Sequence, residues 1–306
     1  MKKVLITGGA GFIGSHTADL LISQGVHVRI LDNLSSGHRG NLPVSHPLLE
    51  FIKGDITDAA TVDHAIEGAT HCLNLAAQVS VVASLENPVF SAMQNIIGFV
   101  NILVAAQRNK IEKLVYASSA AIYGEPSEIP LTESAEKAQL SPYGLEKQVN
   151  EEYAGLYASL YGLNSLGQRY FNVYGPRQDP KSPYAGVIAL FVDRISQGSG
   201  LTVFGDGLQT RDFIYVGDVA RANVAALSSG VGGACNIGTG KATTLLDLIE
   251  VLSEITGNSC DVSHASPREG DIKHSLANTE KMNHQLNLSA ETSIRQGLIN
   301  LIEYSA

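Results

Sequence analysis

Two side chains four residues apart, Tyr143 and Lys147, have the types and spacing of a proton-transfer pair. Residues at this spacing lie on one face of an α-helix, so the Lys147 ammonium can sit near the phenol and favour its ionised form. A phenol has a pKa near ~10, and a base that acts at neutral pH needs that value lowered by roughly 3 units, about 4 kcal/mol. The lysine and a cationic cofactor ring could together supply this energy. Tyr143 is therefore a candidate base.

A hydroxyl is also needed to hold the substrate oxygen in line for the transfer. Ser118 and Ser119 both end an apolar run, and the spacing to Tyr123 favours Ser119. The pattern Tyr-x-x-x-Lys also occurs in chains without this chemistry, so it needs support from other parts of the sequence. We predict that the catalytic residues are Ser119, Tyr143 and Lys147.

A glycine-rich turn after the first predicted strand indicates a dinucleotide site. Residues 7–14 fit both the spacing Gly-x-Gly-x-x-Gly and the variant Gly-x-x-Gly-x-x-Gly. Glycines there permit a tight turn and let a pyrophosphate approach the backbone amides that open a helix. We expect cofactor contacts from Gly8, Gly11, Phe12 and Ile13.

Asp32 closes the second predicted strand, within reach of an adenosine ribose. A carboxylate there accepts hydrogen bonds from free ribose hydroxyls and repels a 2′-phosphate, which favours NAD over NADP. A turn role is the alternative, because Asp32 and Asn33 precede a loop rich in serine and glycine. Because Arg39 is nearby, NADP is not excluded as the cofactor. We expect Asn33, Ser36 and Gly37 to contact the cofactor as well.

Composition indicates an ordinary soluble protein. The chain has 306 residues, of which 44% are hydrophobic and 17% charged, enough for a full core. A formal charge of −9 leaves no basic surface for nucleic acid or an anionic membrane, so neither is an expected partner. No apolar run approaches a membrane span, and glycines break the first one too early for a signal peptide. Three scattered cysteines without metal spacing are typical of reduced thiols, and we expect a cytoplasmic protein without a metal site.

Short apolar runs rich in β-branched residues alternate with stretches of helical length over residues 2–118. The predicted strands are residues 4–7, 26–31, 49–53, 71–75 and 113–117, and the predicted helices are residues 13–24, 57–66 and 91–109. Such repeats imply a doubly wound α/β fold, a Rossmann parallel sheet covered on both faces. The pattern loosens after residue 172 and returns at residues 185–196, 216–227 and 245–255. We place the Rossmann domain at residues 1–171 and a smaller C-terminal lobe mainly at 172–306, with part of 212–237 returning to the Rossmann domain.

Together these residues resemble the extended short-chain dehydrogenase/reductase family, in particular its nucleotide-sugar epimerases and dehydratases. The resemblance runs over nearly the whole chain, and the UDP-glucose and UDP-N-acetylglucosamine 4-epimerases are the most similar members. It implies that the cofactor is NAD and that the C-terminal lobe binds a UDP-sugar. The further cofactor contacts that it implies are Asp55, Ile56, Leu75, Ala76, Ala77, Gln78, Asn95 and Tyr170.

Three segments, residues 169–178, 205–213 and 268–271, look like the segments that bind the sugar nucleotide in this family. The resemblance implies that Arg211 and Arg268 bind the diphosphate and that Asp271 binds the nucleotide ribose. Arginine offers planar, bidentate donors for phosphate oxygens, although a solvated surface role is the alternative for each. The implied substrate contacts are Ser119, Tyr143, Asn172, Gln178, Gly186, Val187, Thr202, Phe204, Arg211, Arg268, Asp271 and Ser275.

Two alanines after Ser119 bear on the reaction type. Family members share oxidation of the sugar at C4, with Tyr143 taking the hydroxyl proton. Dehydratases and decarboxylases of this family carry acids where this chain has Ala120 and Ala121, and an alanine can neither donate nor accept a proton. Simple 4-epimerisation through a 4-keto intermediate needs no further acid and regenerates NAD. The leading hypothesis is therefore a UDP-hexose 4-epimerase acting on UDP-Glc/UDP-Gal.

Three other functions stay open. A UDP-glucuronate 4-epimerase has the same core chemistry, and a 4,6-dehydratase or decarboxylase could use other acids such as Glu125 or Glu133. A dinucleotide-binding regulator is the alternative that is not an enzyme, although such proteins usually lack part of the triad. Within epimerases, the small Ser275 leaves space for a 2-acetamido group, and Gln178 matches a position in enzymes that accept N-acetylhexosamines. We therefore expect activity on UDP-GlcNAc/UDP-GalNAc too.

The tyrosines Tyr153, Tyr157 and Tyr161 repeat every four residues after Lys147, a spacing typical of a packing stripe. In this family, the helix with Tyr-x-x-x-Lys and the long helix before it commonly form a dimeric four-helix bundle. The resemblance therefore implies a homodimer.

Overall fold

Seven parallel strands form one sheet in the computed structural model, which describes residues 1–179, 186–258, 261–267 and 272–305. The strands of this sheet are β1 (Lys3–Thr7), β2 (His27–Asp32), β3 (Leu49–Lys53), β4 (His71–Asn74), β5 (Lys113–Ser119), β6 (Ser165–Tyr170) and β11 (Gly233–Ile237). Their order is β11-β6-β5-β4-β1-β2-β3. The chain runs outward from β1 to β3 and then returns to β4 beside β1. This reversal is the switch point at which doubly wound folds bind ligands.

Helices cover both faces of this sheet. They are α1 (Phe12–Ser23), α2 (Ala59–Ile66), α3 (Val81–Glu86), α4 (Pro88–Ala92), α5 (Gly98–Arg108), α6 (Pro142–Tyr161) and α8 (Val216–Leu227), with a π turn at Met93–Ile97 and 3₁₀ turns at Arg39–Asn41 and Ala120–Ile122. The central strands are buried on both sides, as Val4, Leu5 and Ile6 show with no exposed surface. The predicted doubly wound α/β fold is therefore confirmed, and the five predicted strands end within two residues of those observed.

The C-terminal lobe is built from short paired strands and helices. These are β7 (Asn172–Tyr174), α7 (Val187–Ser196), β8 (Leu201–Phe204), β9 (Thr210–Arg211), β10 (Phe213–Tyr215), β12 (Thr243–Thr244), α9 (Leu245–Thr256), β13 (Val262–Ala265) and α11 (Ile294–Ser305). The short α10 (Glu280–Gln285) precedes α11 in the chain but packs on β11 of the large sheet. Its core contains the buried Leu248, Leu252 and Leu298. Two elements in the range 212–237, α8 and β11, pack instead on α1 and on the edge of the large sheet. The boundary at residue 171 stays a prediction.

One continuous helical stretch, Pro88–Arg108, corrects an expectation from the sequence. It is 21 residues long and contains an 18-residue window with a mean hydropathy of 1.7, so by length and composition it could cross a membrane. The sequence predicted that no apolar run approaches a span. This composition has a reason in the fold, because Phe99, Ile102 and Leu103 are buried in a core cluster with α2, β4 and β5. Core helices pass the same test, so the stretch is weak evidence for a membrane segment.

Candidate active site

Ser119, Tyr143 and Lys147 come together where β5 ends and α6 begins. Ser119 is the last residue of β5, and Tyr143 lies in the first turn of α6, after Pro142 and the N-cap Ser141. The Ser141 hydroxyl accepts a hydrogen bond from the Gly144 N–H (3.2 Å), which fixes the start of the helix. The Tyr143 phenol hydrogen-bonds with Ser119.

Lys147 lies on the same face of α6 as Tyr143, as the spacing predicts. Its Nζ is 5.5 Å from the centre of the Tyr143 ring and donates a hydrogen bond to the Ala117 carbonyl (3.0 Å). Ser118, the other candidate hydroxyl, points elsewhere, because its Oγ donates to Glu151 (2.7 Å). Of the two serines, Ser119 is therefore the one beside the phenol.

The electrostatics of this group differ from the expectation in one respect. Burial raises the pKa of Tyr143; the hydrogen bond with Ser119 lowers it, and the negative charge of Glu146 raises it further. Burial also lowers the pKa of Lys147 to about 8, against the opposing charge of Glu146. The chain's own groups therefore leave the phenol's pKa above its ordinary value, because burial outweighs the stabilisation that Lys147 was expected to provide. Lowering that pKa falls to the second predicted contributor, a cationic cofactor ring.

The glycine turn after β1 fits a cofactor that approaches the backbone closely. Gly8 has a φ of +68°, and a Cβ there would lie 2.7 Å from the Ala76 nitrogen. A Cβ on Gly14 would lie 2.3 Å from the Gly8 carbonyl oxygen. Gly11 is the N-cap of α1 and provides no side chain to cap the amides of Phe12 and the next residue, Ile13. Those first-turn amides are suited to bind a pyrophosphate.

Asp32 lies beside this turn at the end of β2 and is 6% exposed. Its two carboxylate oxygens accept hydrogen bonds from the Ala10 and Leu34 amides, at 2.9 and 2.8 Å. A Cβ on Gly37 would lie 3.0 Å from an Asp32 oxygen, so that glycine keeps the space next to the carboxylate open. Both Asx-turn geometry and a position suited to a ribose are thus present in one side chain.

Other residues around Asp32 bear on the choice of cofactor. The Asn33 Nδ2 donates to an Asp55 oxygen (2.8 Å), which joins two predicted cofactor contacts, and Ser36 is exposed in the same loop. Arg39 donates to the Leu42 and Pro43 carbonyls and lies over the Phe51 ring. Since its guanidinium is already bound in this way, Arg39 gives little support to binding of a 2′-phosphate.

The loop after β4 packs against the glycine turn. The amides of Leu75 and Ala76 donate to the backbone carbonyl and the hydroxyl of Thr7 (3.0 and 3.3 Å). This contact places the predicted cofactor residues 75–78 at the switch point between β1 and β4, while Ile56 is buried under α5. Tyr170 differs, since its hydroxyl bonds with Gln168 and Asn223 (3.1 and 2.5 Å) inside the core. The hydroxyl of Tyr170 is therefore already hydrogen-bonded within the core, and its predicted cofactor contact stays a prediction.

Asn95 and Glu146 are joined by a buried hydrogen bond, and of the two only Asn95 was predicted as a site residue. Asn95 Oδ1 accepts from the Gln78 N–H (2.8 Å), and Asn95 Nδ2 donates to Glu146 Oε2 (2.6 Å). Ser91 Oγ donates to the same Glu146 oxygen (2.8 Å). We did not predict Glu146, although an acid next to Lys147 on the predicted helix was a visible signal.

Three of the predicted substrate residues, Asn172, Arg211 and Ser275, lie after β6 and around β9. Asn172 is exposed, and its N–H donates to the Asp212 carbonyl (3.0 Å). The Arg211 guanidinium lies along the same strand pair and donates to the Thr210 carbonyl (2.9 Å). Ser275 is 8% exposed, and its N–H also donates to Thr210 (3.2 Å), so Arg211 and Ser275 are neighbours across one backbone contact.

The other predicted substrate contacts are more dispersed. Gln178 Nε2 is within hydrogen-bond range of the Val173 carbonyl (3.5 Å) and adjoins Gly186, the N-cap of α7 before Val187. Thr202 pairs with Ser263 between β8 and β13, and the Phe204 carbonyl accepts from Gln209. Arg268 and Asp271 lie outside the described residues.

An unpredicted contact joins the two lobes beside the cofactor helix. Arg177 has a φ of +70°, and its guanidinium pairs with Asp19 of α1 (2.7 Å). His16 Nε2 on the same helix is 2.9 Å from the Pro176 carbonyl. The loop that follows β7 is therefore tied to the helix whose first turn carries the glycine motif.

Comparison with known proteins gives consistent results. The model of the NAD-dependent epimerase/dehydratase family matches residues 4–238. The UDP-glucose 4-epimerase of Mycolicibacterium smegmatis is 35% identical, over 99% of this chain and 98% of that protein. Two solved structures, each 38% identical and covering 99% of this chain and 98% of theirs, are also similar. One is a Methanobrevibacter ruminantium UDP-N-acetylglucosamine 4-epimerase in complex with UDP-N-acetylmuramic acid (TM-score 0.96), and the other a Thermus thermophilus UDP-glucose 4-epimerase with NAD (TM-score 0.91).

Proposed function

The chain belongs to the NAD-dependent epimerase/dehydratase family, and we propose that it is an NAD-dependent UDP-hexose 4-epimerase. The observation that carries this proposal is the grouping of Ser119, Tyr143 and Lys147 at the carboxyl end of the sheet, directly followed by Ala120 and Ala121. All three residues of the proton-transfer group are thus present. The two positions at which an acid could expel a substituent from the sugar are alanines.

Each residue of the group has one part in the reaction. NAD, when bound, accepts the C4 hydride of the sugar and returns it to the opposite face. Ser119 holds the C4 oxygen by a hydrogen bond, and Tyr143 takes the hydroxyl proton and later returns it. The Lys147 ammonium favours the ionised phenol. Gly8, Gly11 and Asp32 bind the cofactor in this proposal, and Arg211 binds the diphosphate of the UDP-sugar.

A lyase is less well supported than an epimerase by the positions of the alternative acids. The Glu133 carboxylate accepts a hydrogen bond from the Asn236 N–H (2.8 Å), and the Glu125 carboxylate accepts from the Lys273 N–H (3.1 Å). Both acids therefore have partners in the scaffold. A UDP-glucuronate 4-epimerase has the same proton-transfer group and is distinguished by assay.

The test of the proposed function is an NMR assay of purified protein with UDP-GlcNAc, first without added NAD. Appearance of the UDP-GalNAc anomeric signal supports 4-epimerisation with a retained cofactor. The same assay is then run with added NAD and with UDP-glucose, UDP-galactose and UDP-glucuronate. If no pair interconverts under any of these conditions, the chain is not a UDP-hexose 4-epimerase.

Replacement of Ser275 by tyrosine is expected to separate the two substrate pairs. Ser275 is buried and backbone-bonded to Thr210, next to Arg211, so a larger side chain there takes space beside the proposed sugar-nucleotide site. We expect Ser275→Tyr to lose about tenfold or more in kcat/KM for UDP-GlcNAc and to retain UDP-glucose activity, because it excludes the acetamido group. Paired kinetics on both substrates measure this. Full activity on the acetylated pair would refute the steric explanation, and Ser275→Ala is the control that keeps the space open.

We also propose a cytoplasmic homodimer. Among the described residues, α4 and the π turn expose Val89 (74%), Phe90 and Met93, and the neighbouring α6 exposes Leu156 and Leu160 (62%). Exposed apolar residues along two packed helices are suited to contact with a second copy of the same surface, forming a four-helix bundle. Cys72 and Cys235 are buried free thiols, which suits a reducing compartment.

The double variant Val89→Glu/Leu160→Glu is expected to be monomeric, because it buries charge in the proposed interface. Light scattering at micromolar concentration measures the mass. Val44→Glu introduces the same charge at a fully exposed loop residue (95%) and is expected to leave the mass unchanged. A monomeric wild-type protein at this concentration would contradict the proposed dimer.

A further inference from the structure

A buried carboxylate, Glu146, joins α6, the helix that carries Tyr143 and Lys147, to α4 and the π turn. Glu146 is 3% exposed. Its Oε2 accepts hydrogen bonds from Ser91 on α4 (2.8 Å) and from Asn95 in the π turn (2.6 Å). Lys147, which is also 3% exposed, is the next residue on α6. One side chain thus contacts two other elements from a position adjacent to the reacting group.

Asn95 carries the connection onward to the switch point. Its Oδ1 accepts from the Gln78 N–H (2.8 Å), and its Nδ2 donates to the Gln78 carbonyl (2.9 Å) as well as to Glu146. The Gln78 loop follows Ala76, which packs on Gly8 of the glycine turn. A π turn inserts an extra residue into a helix and often marks a functional site. Here it is the turn that presents the Asn95 amide to both partners.

The buried charge of Glu146 has to be compensated by the groups around it. A carboxylate removed from water is costly unless donors and an opposite charge compensate it. Ser91 and Asn95 are neutral donors, and Lys147 is the adjacent buried cation. Burial lowers the pKa of Lys147 to about 8, and the charge of Glu146 opposes that fall. The charge of Glu146 therefore favours the ammonium form of Lys147.

We propose that Glu146 is a positioning residue of this active site: its carboxylate fixes the Asn95 amide against the Gln78 loop, and its charge maintains the ammonium form of Lys147 beside Tyr143. This inference rests on the proposed function, in which Lys147 supports Tyr143 in proton transfer.

The other groups around Lys147 leave Glu146 as the nearby anion. The Lys147 Nζ faces the Ala117 carbonyl of β5 and the Tyr143 ring, which is on the same helix as Lys147. The donors that face Glu146, Ser91 and Asn95, do not titrate in this range. One turn along α6, the Glu151 carboxylate is paired with Arg169 on β6 and with Lys137 on the loop before α6.

The test is a pH titration of Lys147 in the protein with bound NAD, followed by the ¹³Cε NMR signal of labelled lysine. The signal is assigned by its loss in Lys147→Met. Glu146→Gln keeps the shape and an acceptor oxygen but removes the charge, and we expect it to lower the Lys147 midpoint by at least about one pH unit. Glu152→Gln removes the same charge from an exposed position on the same helix and is expected to leave the midpoint unchanged.

Kinetics provide a second readout of the same variants. The alkaline limb of the kcat profile is expected to move to lower pH in Glu146→Gln and to stay in place in Glu152→Gln. An unmoved Lys147 midpoint in Glu146→Gln overturns the electrostatic part of the proposal. Because the NMR titration needs no turnover, it decides this point even if the wild-type protein epimerises nothing and the proposed function fails.

Asn95→Ser tests the geometric part without changing the charge and remains available if Glu146→Gln does not fold. This substitution replaces the amide that bridges Glu146 and Gln78 with a shorter hydroxyl group. We expect about tenfold weaker NAD binding by fluorescence titration, with the Lys147 midpoint unchanged. NAD affinity equal to that of wild type would overturn the bridging role.

Discussion

Tyr143→Phe is expected to lower kcat for UDP-sugar epimerisation by roughly 10³-fold. The substitution removes the phenolic oxygen, which in the proposed mechanism takes and returns the C4 proton. The aromatic ring itself stays next to Lys147, whose Nζ lies 5.5 Å from its centre. The loss should therefore appear in kcat, with KM and NAD affinity changed by no more than about threefold.

Steady-state kinetics with the preferred UDP-sugar, together with fluorescence titration of NAD, measure these effects. Tyr304→Phe removes the same hydroxyl from an exposed residue of α11 (58% exposed) and should behave as wild type. A Tyr143→Phe protein with near-normal kcat would mean that another group transfers the proton, and the roles proposed for Ser119 and Lys147 would fall with it.

The fold and the proton-transfer group were predictable because both follow from local patterns. The strands carry continuous apolar runs, as in β1 and β5, since parallel strands are buried on both faces. The glycine turn and the Tyr143–Lys147 pair are each specified within a few residues, so no long-range contact had to be known. Sequence spacing alone also favoured Ser119 over Ser118, and Ser118 is indeed bound to Glu151.

What could not be predicted depends on contacts between distant segments. Glu146 meets Ser91 and Asn95 across about fifty positions of sequence, and Arg177 meets Asp19 across many more. The rise that burial causes in the pKa of Tyr143 was not predictable for the same reason: helical spacing indicates that Lys147 is close, but the extent of burial is set by the assembled fold. Sequence spacing identifies Lys147 as the neighbour of Tyr143, whereas the tertiary structure decides whether charge attraction or desolvation has the larger effect on the pKa of Tyr143.

The second large effect is expected on stability rather than catalysis: Arg169→Met should lower the free energy of unfolding by about 3–5 kcal/mol. Arg169 is 2% exposed, and its Nε and Nη2 bind both oxygens of Glu151 (2.8 and 2.7 Å). Its Nη1 donates to the Tyr123 hydroxyl and the Glu133 carbonyl. Methionine leaves Glu151 buried with Ser118 and the partly exposed Lys137 as its remaining partners.

Urea unfolding at pH 7 measures this loss, and the chain offers a matched control. Arg295→Met removes an arginine from an ion pair with Glu254 of similar length (2.7 Å), but both side chains are about half exposed. An exposed pair contributes at most about 1 kcal/mol. Equal losses in the two variants would show that burial of the Arg169–Glu151 pair has no special cost. Adding Glu151→Leu to Arg169→Met should recover part of the stability, because it removes the unpaired buried charge.

The pH dependence of this difference has a definite sign. Burial pushes the pKa of Glu151 up, but the hydrogen bonds and charge of Arg169, with Ser118 and Lys137, outweigh it and hold the pKa below its ordinary value. In the wild type, Glu151 therefore contributes stability above the pKa of an unfolded glutamate, and this contribution is lost as the pH falls through the lower folded value. In Arg169→Met the opposing groups are reduced, so burial raises that pKa and protonation relieves the buried charge. The difference in unfolding free energy between the two proteins should consequently shrink between pH 7 and pH 4, whereas a difference that is constant with pH would assign the loss to packing alone.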